Sequence, residues 1–285
     1  MKSVKMNENQ IQEFTIKFKD YETDIKNEYI DHFYKINGAT VSIFKSGKVL
    51  FQGSNLDVFG DYFNTYTQLS LDLDEDDTPY DYMYTIGADE VGTGDTFGPI
   101  VCASVFVRKS DIEYLKELGV KDSKKLSDER IMKLGKIIEE KFEHQVNILR
   151  NEIYNDIKDK YNMNEMKARL HNQNILLLSK RVKYEAVCLD EFVNRDKYFS
   201  YLNDEVFKDI SFEMKGESKS CAVAAASILA RYFFLLEYER LIKEYGYSLP
   251  KGSGTKVKEM IEKIRNEKKD DLFYHIAKTN FKNFD

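Results

Sequence analysis

Asp89 and Glu90 sit side by side at the end of the apolar run Thr85-Ile86-Gly87-Ala88. A carboxylate pair half-buried at a strand end is costly unless it is protonated or neutralised by cations. The pair therefore points toward a metal ion, or more plainly toward a turn cap. Neighbouring side chains of a regular strand face opposite ways, so both can serve one site only if the strand ends or twists there. Asp190 repeats the pattern at the end of Ala186-Val187-Cys188-Leu189, where an ordinary strand-terminating Asp is the alternative. Glu217 lies in Lys215-Gly216-Glu217-Ser218-Lys219, just before an alanine-rich helical stretch. There a carboxylate also interacts favourably with the helix dipole, by about 0.3–1 kcal/mol. If the three stations converge, they offer the hard oxygen ligands that Mg²⁺ or Mn²⁺ prefers. Two such ions activate a water and stabilise the departing oxygen of a phosphodiester. Lys215 and Lys219 would then hold phosphates.

Other candidates are weaker. Gly92-Thr93-Gly94-Asp95-Thr96-Phe97-Gly98 has its third glycine one position late for a dinucleotide fingerprint, and a β-rich run rather than a helix follows it. It reads as a tight turn whose backbone can approach a ligand. Lys121-Asp122-Ser123-Lys124-Lys125 is a basic patch before Ser127, a good helix N-cap, and is otherwise a solvated loop. The four histidines and three cysteines have no zinc-like spacing.

These residues need elements to position them. Residues 8–35 have helix-like composition, 38–53 read as a β-hairpin around Lys45-Ser46-Gly47, and a second helix fits about 56–66. The acidic stretch 71–81 lacks periodicity and marks a domain boundary. Beyond it, the runs ending at Glu90 and spanning Pro99–Val107 are strand-like. Helices are expected at about 110–118, 127–142 and 164–183, a buried strand over Glu185–Leu189, and a long helix over 218–245. The alanines at 222, 224, 225, 226 and 230 give that helix a small-residue surface.

A chain of 285 residues, 42% apolar and 13% aromatic, can fill sizeable cores and suggests two domains. Cys102, Cys188 and Cys221 are scattered through apolar runs and read as reduced core residues. No signal-like segment is expected at the N-terminus, and the apolar run Cys221–Ala230 is too short to span a bilayer before Arg231. A cytoplasmic, membrane-independent protein follows. The net charge of −6 argues against coating nucleic acid by bulk positive charge, but not against a local basic surface.

Taken in order, IGADEVGTGDTFGPIVCASV, VKDSKKLSD, LHNQN, CLDEF and KGESKSCAVAAASILARY make the chain resemble the type 2 ribonucleases H, and among them the HIII branch. The resemblance covers essentially the whole chain. It implies an α/β fold, an RNase H-like mixed sheet flanked by helices, plus a small N-terminal α+β domain like the TATA-binding protein. The implied layout is a substrate-binding domain over 1–66, an acidic linker over 67–82 and a catalytic domain over 83–285. The implied activity is endonucleolytic, metal-dependent cleavage of the RNA strand of RNA–DNA hybrids, leaving 5′-phosphate and 3′-hydroxyl ends. Asp89, Glu90, Asp190 and Glu217 would be the acidic set, holding two Mg²⁺ or Mn²⁺ ions. Gly92, Thr93 and Gly94 would read 2′-hydroxyls. Lys121, Ser123, Lys124, Asn172, Lys215 and Lys219 would also contact nucleic acid.

Glu217 favours HIII over the sibling HII enzymes, which usually carry Asp there, and Thr93 stands where HII enzymes usually carry Arg. HII enzymes use a tyrosine in a C-terminal glycine-containing segment to recognise a lone ribonucleotide. Pro250-Lys251-Gly252-Ser253-Gly254-Thr255 has none, so runs of ribonucleotides are the expected substrate. HII-like junction cleavage and an inactive hybrid-binding protein are the alternatives. Residues 1–66 hold 8 lysines against 9 acidic groups, so any binding there uses one face rather than bulk charge. No obligate protein partner is implied, and a monomer is expected.

Overall fold

The computed structural model describes residues 2–6, 8–24, 30–44, 48–53, 59, 80, 83–120, 126–203 and 205–284. Lys121, Ser123, Lys124, the 45–47 turn, the helix expected near 56–66 apart from Phe59, and the 67–82 acidic linker apart from Tyr80 lie outside them. The chain divides into two compact units, Met1–Asp77 and Thr78–Asp285.

Among its described residues, the first unit is a four-stranded antiparallel sheet carrying one α-helix. Strands β1 (Lys2–Lys5), β2 (Ile30–Ile36), β3 (Ala39–Phe44) and β4 (Lys48–Gly53) lie in the order β1-β4-β3-β2. Helix α1 (Glu8–Lys17) contributes Phe14 to a core with Tyr34, Val41, Ile43 and Phe51. The helical character expected over residues 8–35 stops at Lys17. Ile30-Asp31-His32-Phe33-Tyr34-Lys35-Ile36 instead pairs with β3, down to Ile36 opposite Ala39. Aromatic and β-branched side chains gain more on a pleated, half-buried surface than local helix propensity offers.

The second unit is built on a five-stranded mixed sheet of order β7-β6-β5-β8-β9. Its strands are β5 (Thr85–Val91), β6 (Ile100–Val107), β7 (His144–Leu149), β8 (Ala186–Asp190) and β9 (Ser211–Glu213). The β5–β6 and β6–β7 pairs are antiparallel, whereas β5–β8 and β8–β9 are parallel. Helices α2 (Ile112–Glu117), α3 (Asp128–Lys141), α4 (Asn151–Ile157), α5 (Met163–Ser179), α6 (Arg195–Ser200), α7 (Gly216–Lys219), α8 (Cys221–Tyr245), α9 (Thr255–Asn266) and α10 (Leu272–Ile276) accompany it. All eight residues of β6 are buried, as a strand covered on both faces requires. Val101, Ala103, Val105 and Val107 face the core that α3 and α8 share, while Ile86, Ala88 and Phe106 face the core containing Ala168 and Ile175 of α5. This period-two split decides which side of the sheet each carboxylate reaches.

The helix expected over 218–245 is two helices. Ser220 adopts an extended conformation (φ −144°, ψ 121°), and its hydroxyl caps α8 by accepting from Val223 N at 3.4 Å. A helix start is thereby fixed next to Glu217. The apolar character does not end at Arg231 either. Helix α8 runs 25 residues and is apolar enough to cross a membrane by length and composition, but 78% of its most apolar window is buried inside the unit. It is a core helix. Its alanine surface lies against Gly87 of β5, where an added Cβ would overlap the backbone of Ala222 and Val223.

Candidate active site

In the parallel β5–β8 pair, Ala88 is opposite Leu189, so the next residues, Asp89 and Asp190, stand beside each other at the C-terminal ends of their strands. In-register neighbours project to the same face of a sheet. For Asp89 that is the α8 face: Gly87, two residues back, touches α8, and the Ser227 side chain hydrogen-bonds to the Asp89 carboxylate. A cavity of about 260 Å³ opens here, lined by Asp89, Glu90, Val91, Ile131, Asp190, Ser227 and Arg231. Arg231, at the rim, is paired with Asp128 at 2.7 Å.

Asp89 is 7% exposed. Burial, reinforced by the charges of Glu90 and Asp190, holds its carboxyl well above the usual carboxylate range, against the opposing hydrogen bonds from Ser227 and from Glu90 N. A buried carboxylate with a carboxylate neighbour gains most from a nearby cation.

Glu90 has a different setting. As the next residue on the strand it faces α5, where Lys167 Nζ donates to Oε1 at 2.9 Å and His171 Nε2 meets Oε2 at 2.9 Å. Burial works to raise its carboxyl, but His171 and Lys167 outweigh it and hold Glu90 below its ordinary value. Lys167 Nζ also lies 3.9 Å from the centre of the Phe192 ring, and that ring stacks on His171. The structure thus brings Asp89 and Asp190 together at one cavity and ties the Glu90 carboxylate to Lys167 and His171 of α5.

Asp190 is oriented by Gly216, whose N–H donates to Oδ1 at 2.6 Å. That bond places the start of α7 on β8, and Glu217, 7% exposed, is the next residue. Space beside Gly216 is tight: an added Cβ would sit 3.2 Å from Val223 Cγ1 and 3.3 Å from Asp190 Cα and Oδ1. Lys215 adopts a left-handed conformation (φ 56°) and is exposed, whereas Lys219 pairs with Glu213 at 2.7 Å.

Among the described residues, no three His, Cys, Asp or Glu side chains are grouped as a complete ion site. The donor set still fits a hard divalent ion. Mg²⁺ is commonly held by one or two carboxylates, with water and substrate phosphate completing its shell. Asp89 and Asp190 supply two, and the all-oxygen set excludes the softer metals.

The Gly92–Gly98 turn begins two residues after Glu90. Gly92 (φ 91°) is positioned so that a Cβ would overlap Pro99 O, which only glycine tolerates. Thr93 is half-buried and Gly94 exposed, and neither backbone amide donates to an acceptor among the described residues. The segment 250–255 docks on this turn: Thr96 N donates to Gly252 O at 2.9 Å, and Gly252 N to Asp95 Oδ1 at 2.6 Å. Asn172 is buried in α5, its amide donating to Glu205 O at 2.8 Å and accepting from Phe207 N at 2.9 Å. Its polar atoms are committed to that loop.

Sequence reasoning did not single out Ser227, Lys167 or His171 as members of the site. Ser227 is the lone hydroxyl in the apolar stretch Cys221–Ala230, and Lys167 and His171 are one helical turn apart. Those patterns were the available signals.

The comparisons agree with this architecture. The family model described as Ribonuclease HII matches residues 86–284, and a domain of unknown function (DUF3378) matches residues 3–72. Ribonuclease HIII of Streptococcus gordonii is 38% identical over 281 residues, covering 97% of this chain and 94% of the relative. Ribonuclease HIII of Streptococcus pneumoniae is 37% identical over the same coverage. The crystal structure of Bst-RNase HIII in complex with Mn²⁺ superposes with a TM-score of 0.70 at 32% identity, covering 99% of this chain and 96% of that one. With its mixed sheet, its carboxylates at adjoining strand ends and its end-to-end similarity to these proteins, the chain belongs to the ribonuclease HIII family.

Proposed function

We propose that Asp89, Asp190 and Glu217, with Glu90 behind them, form the active site of an endonuclease that hydrolyses the RNA strand of RNA–DNA hybrids. The products would carry 5′-phosphate and 3′-hydroxyl ends. The observation that carries this reading is the in-register pair Asp89 and Asp190, two acidic groups on one face of adjoining parallel strands with Asp89 buried. Two bound Mg²⁺ or Mn²⁺ ions would supply an activated water and offset charge on the departing oxygen. The relative crystallised with Mn²⁺ supports that choice of ion.

The chain's own groups do the positioning. Ser227 orients the Asp89 carboxylate, and the Gly216 amide orients Asp190. Lys167 and His171 keep Glu90 ionised beside the site. The amides of Thr93 and Gly94, which donate to no acceptor among the described residues, lie on the turn begun by Gly92 and suit a ribose 2′-hydroxyl, the group that separates RNA from DNA. Lys215 and Lys219 flank Glu217 and would meet phosphates, as would Lys121, Ser123 and Lys124 in the basic patch. Asn172 would act by fixing the 205–207 loop. Residues 1–66 are assigned to substrate binding and 83–285 to catalysis, with 67–82 between them, in a cytoplasmic monomer. The lack of a tyrosine in 250–255 favours runs of ribonucleotides over a lone one.

The test is incubation of folded protein with a labelled RNA–DNA hybrid and either Mg²⁺ or Mn²⁺. Internal cuts confined to the RNA strand are expected, and no cleavage with either ion would overturn the reading. A duplex with one embedded ribonucleotide should be cut poorly. Strong cutting there would move the assignment toward an HII-like junction activity.

A further inference from the structure

Lys278 is 0% exposed, an unusual place for a lysine. Its Nζ donates to Asp95 O at 2.7 Å and to Gly98 O at 2.6 Å, two main-chain carbonyls of the Gly92–Gly98 turn. The same segment holds the turn by its backbone: Lys278 N donates to Thr96 O at 2.8 Å, and Gly98 N to Ile276 O at 2.9 Å. Thr96 Oγ1 donates to Asn283 Oδ1 at 3.0 Å. The carbonyls of Asp95 and Gly98 point into the protein, where an unsatisfied acceptor would be costly. Lys278 reaches both, sharing Gly98 O with Asn151 Nδ2, which donates to it at 3.0 Å. Burial pushes its amine down to about 7, and the nearby Asp95 charge resists that fall. Neither bond depends on the protonation state, because a neutral –NH₂ still has two N–H groups.

We propose that Lys278 is a positioning residue for substrate selection: by binding both inward carbonyls it fixes the turn so that the Thr93 and Gly94 amides face the RNA strand. This rests on the reading of that turn as a reader of the substrate. Lys278 touches no substrate itself. It acts from the C-terminal segment, 180 residues from Gly98 in sequence, through the main chain of the turn. Displacement of a reading group by about 1 Å is enough to cost on the order of a hundredfold.

The experiment compares full-length wild type with Lys278→Met, which keeps the length and removes the donors, and with Lys278→Gln, which keeps two N–H groups on a shorter arm. Far-ultraviolet circular dichroism and a thermal melt establish folding. Binding to a hybrid and to an all-DNA duplex of the same sequence is measured without divalent ions, and KM and kcat on the hybrid with Mn²⁺. A folded variant is expected to lose at least about tenfold of the preference for hybrid over DNA, with a matching rise in KM and a kcat changed by less than about threefold. Mn²⁺ affinity by calorimetry should stay at the wild-type value. If Lys278→Met does not fold, Lys278→Gln is read by the same two ratios. A folded variant with the wild-type preference and KM overturns the proposal. Gly94→Val separates the two levels, since a Cβ there meets nothing within 4 Å. If Gly94→Val leaves hybrid binding unchanged, the reading of the turn itself fails. If it weakens binding while the Lys278 variants do not, only the role of Lys278 fails.

Discussion

Asp89 lies beside Asp190, one step past the last paired residues of two parallel strands, and both carboxylates leave the sheet on the same face. Asp89 is 7% exposed and Asp190 half-buried, and burial with the charges of Glu90 and Asp190 holds the Asp89 carboxyl well above the usual carboxylate range. The pair is therefore an electrostatic liability in the fold, kept for what it can bind. Asp89→Asn removes that liability. In buffer without divalent ions the variant should melt higher than wild type by about 2–4 °C or more. Its turnover on a hybrid should fall by a factor on the order of a thousand, because a neutral amide cannot neutralise a metal ion. Binding to the hybrid should remain. A lower melting temperature, or retained turnover, would contradict this account.

Glu90 is stabilised in the opposite way, and its partners can be removed one at a time. Lys167→Met leaves a carboxylate that is 10% exposed with His171 as its remaining side-chain partner. Losing one member of a buried ion pair typically costs about 3–5 kcal/mol, and the lower end is expected here because His171 stays in place. Urea denaturation reads the loss. Adding Glu90→Gln to Lys167→Met should restore part of it, since the uncompensated charge is then gone; full additivity in the double-mutant cycle would count against the pairing. Glu90 also sets an acid limit. Its carboxyl is lowered from 4.5 in the folded protein, so its contribution is fully present above pH 4.5 and is lost as pH falls through the folded value.

Each acidic station stood out because it interrupts an apolar run at a strand or helix end, whereas the mixed sheet came only from the family resemblance. What the sequence concealed is the facing of Asp89 and Glu90. Alternation says that they diverge, but only the pairing of β5 with β8 and the packing of α5 tell which one meets Asp190 and which meets Lys167. Strands β7 and β9 escaped notice for a related reason. β7 is only half-buried along most of its length and β9 has three residues, so neither has the apolar signature of a core strand. The break at Ser220 is a single extended residue inside a run of good helix formers, a choice made by tertiary contacts and the N-cap rather than by propensity.

Gly87 gives a packing test of how the site is held. Its missing Cβ lets α8 lie directly on β5, and the same contact sets the distance from Ser227 to Asp89. Gly87→Ala must push Ala222 and Val223 backbone away from the sheet. Overpacking of this kind costs about 1–3 kcal/mol. Activity should fall further than stability, because the Ser227 bond to Asp89 is stretched by the same movement. Denaturation midpoints and turnover measured on one preparation separate the two effects, and unchanged turnover in a destabilised protein would show that Ser227 is not needed.

Lys278 predicts a rise of stability with pH, in the same sense as the acid limit set by Glu90 but at a higher pH. Its amine titrates at about 7 in the folded protein against 10.5 for an ordinary lysine. Below pH 7 it is charged in both states, and the cost of burying that charge is borne in full. Between pH 7 and 10.5 the unfolded chain binds the extra proton, so the free energy of unfolding increases with pH. The upper part of that window is opposed by Tyr198 and Tyr238, which burial holds above their ordinary value and which ionise first in the unfolded chain. The clean interval is therefore about pH 7 to 9. Urea denaturation across it should give a rising stability for wild type and a flatter dependence for Lys278→Met. Parallel profiles would mean that the buried amine keeps its proton throughout, held by the carbonyls of Asp95 and Gly98.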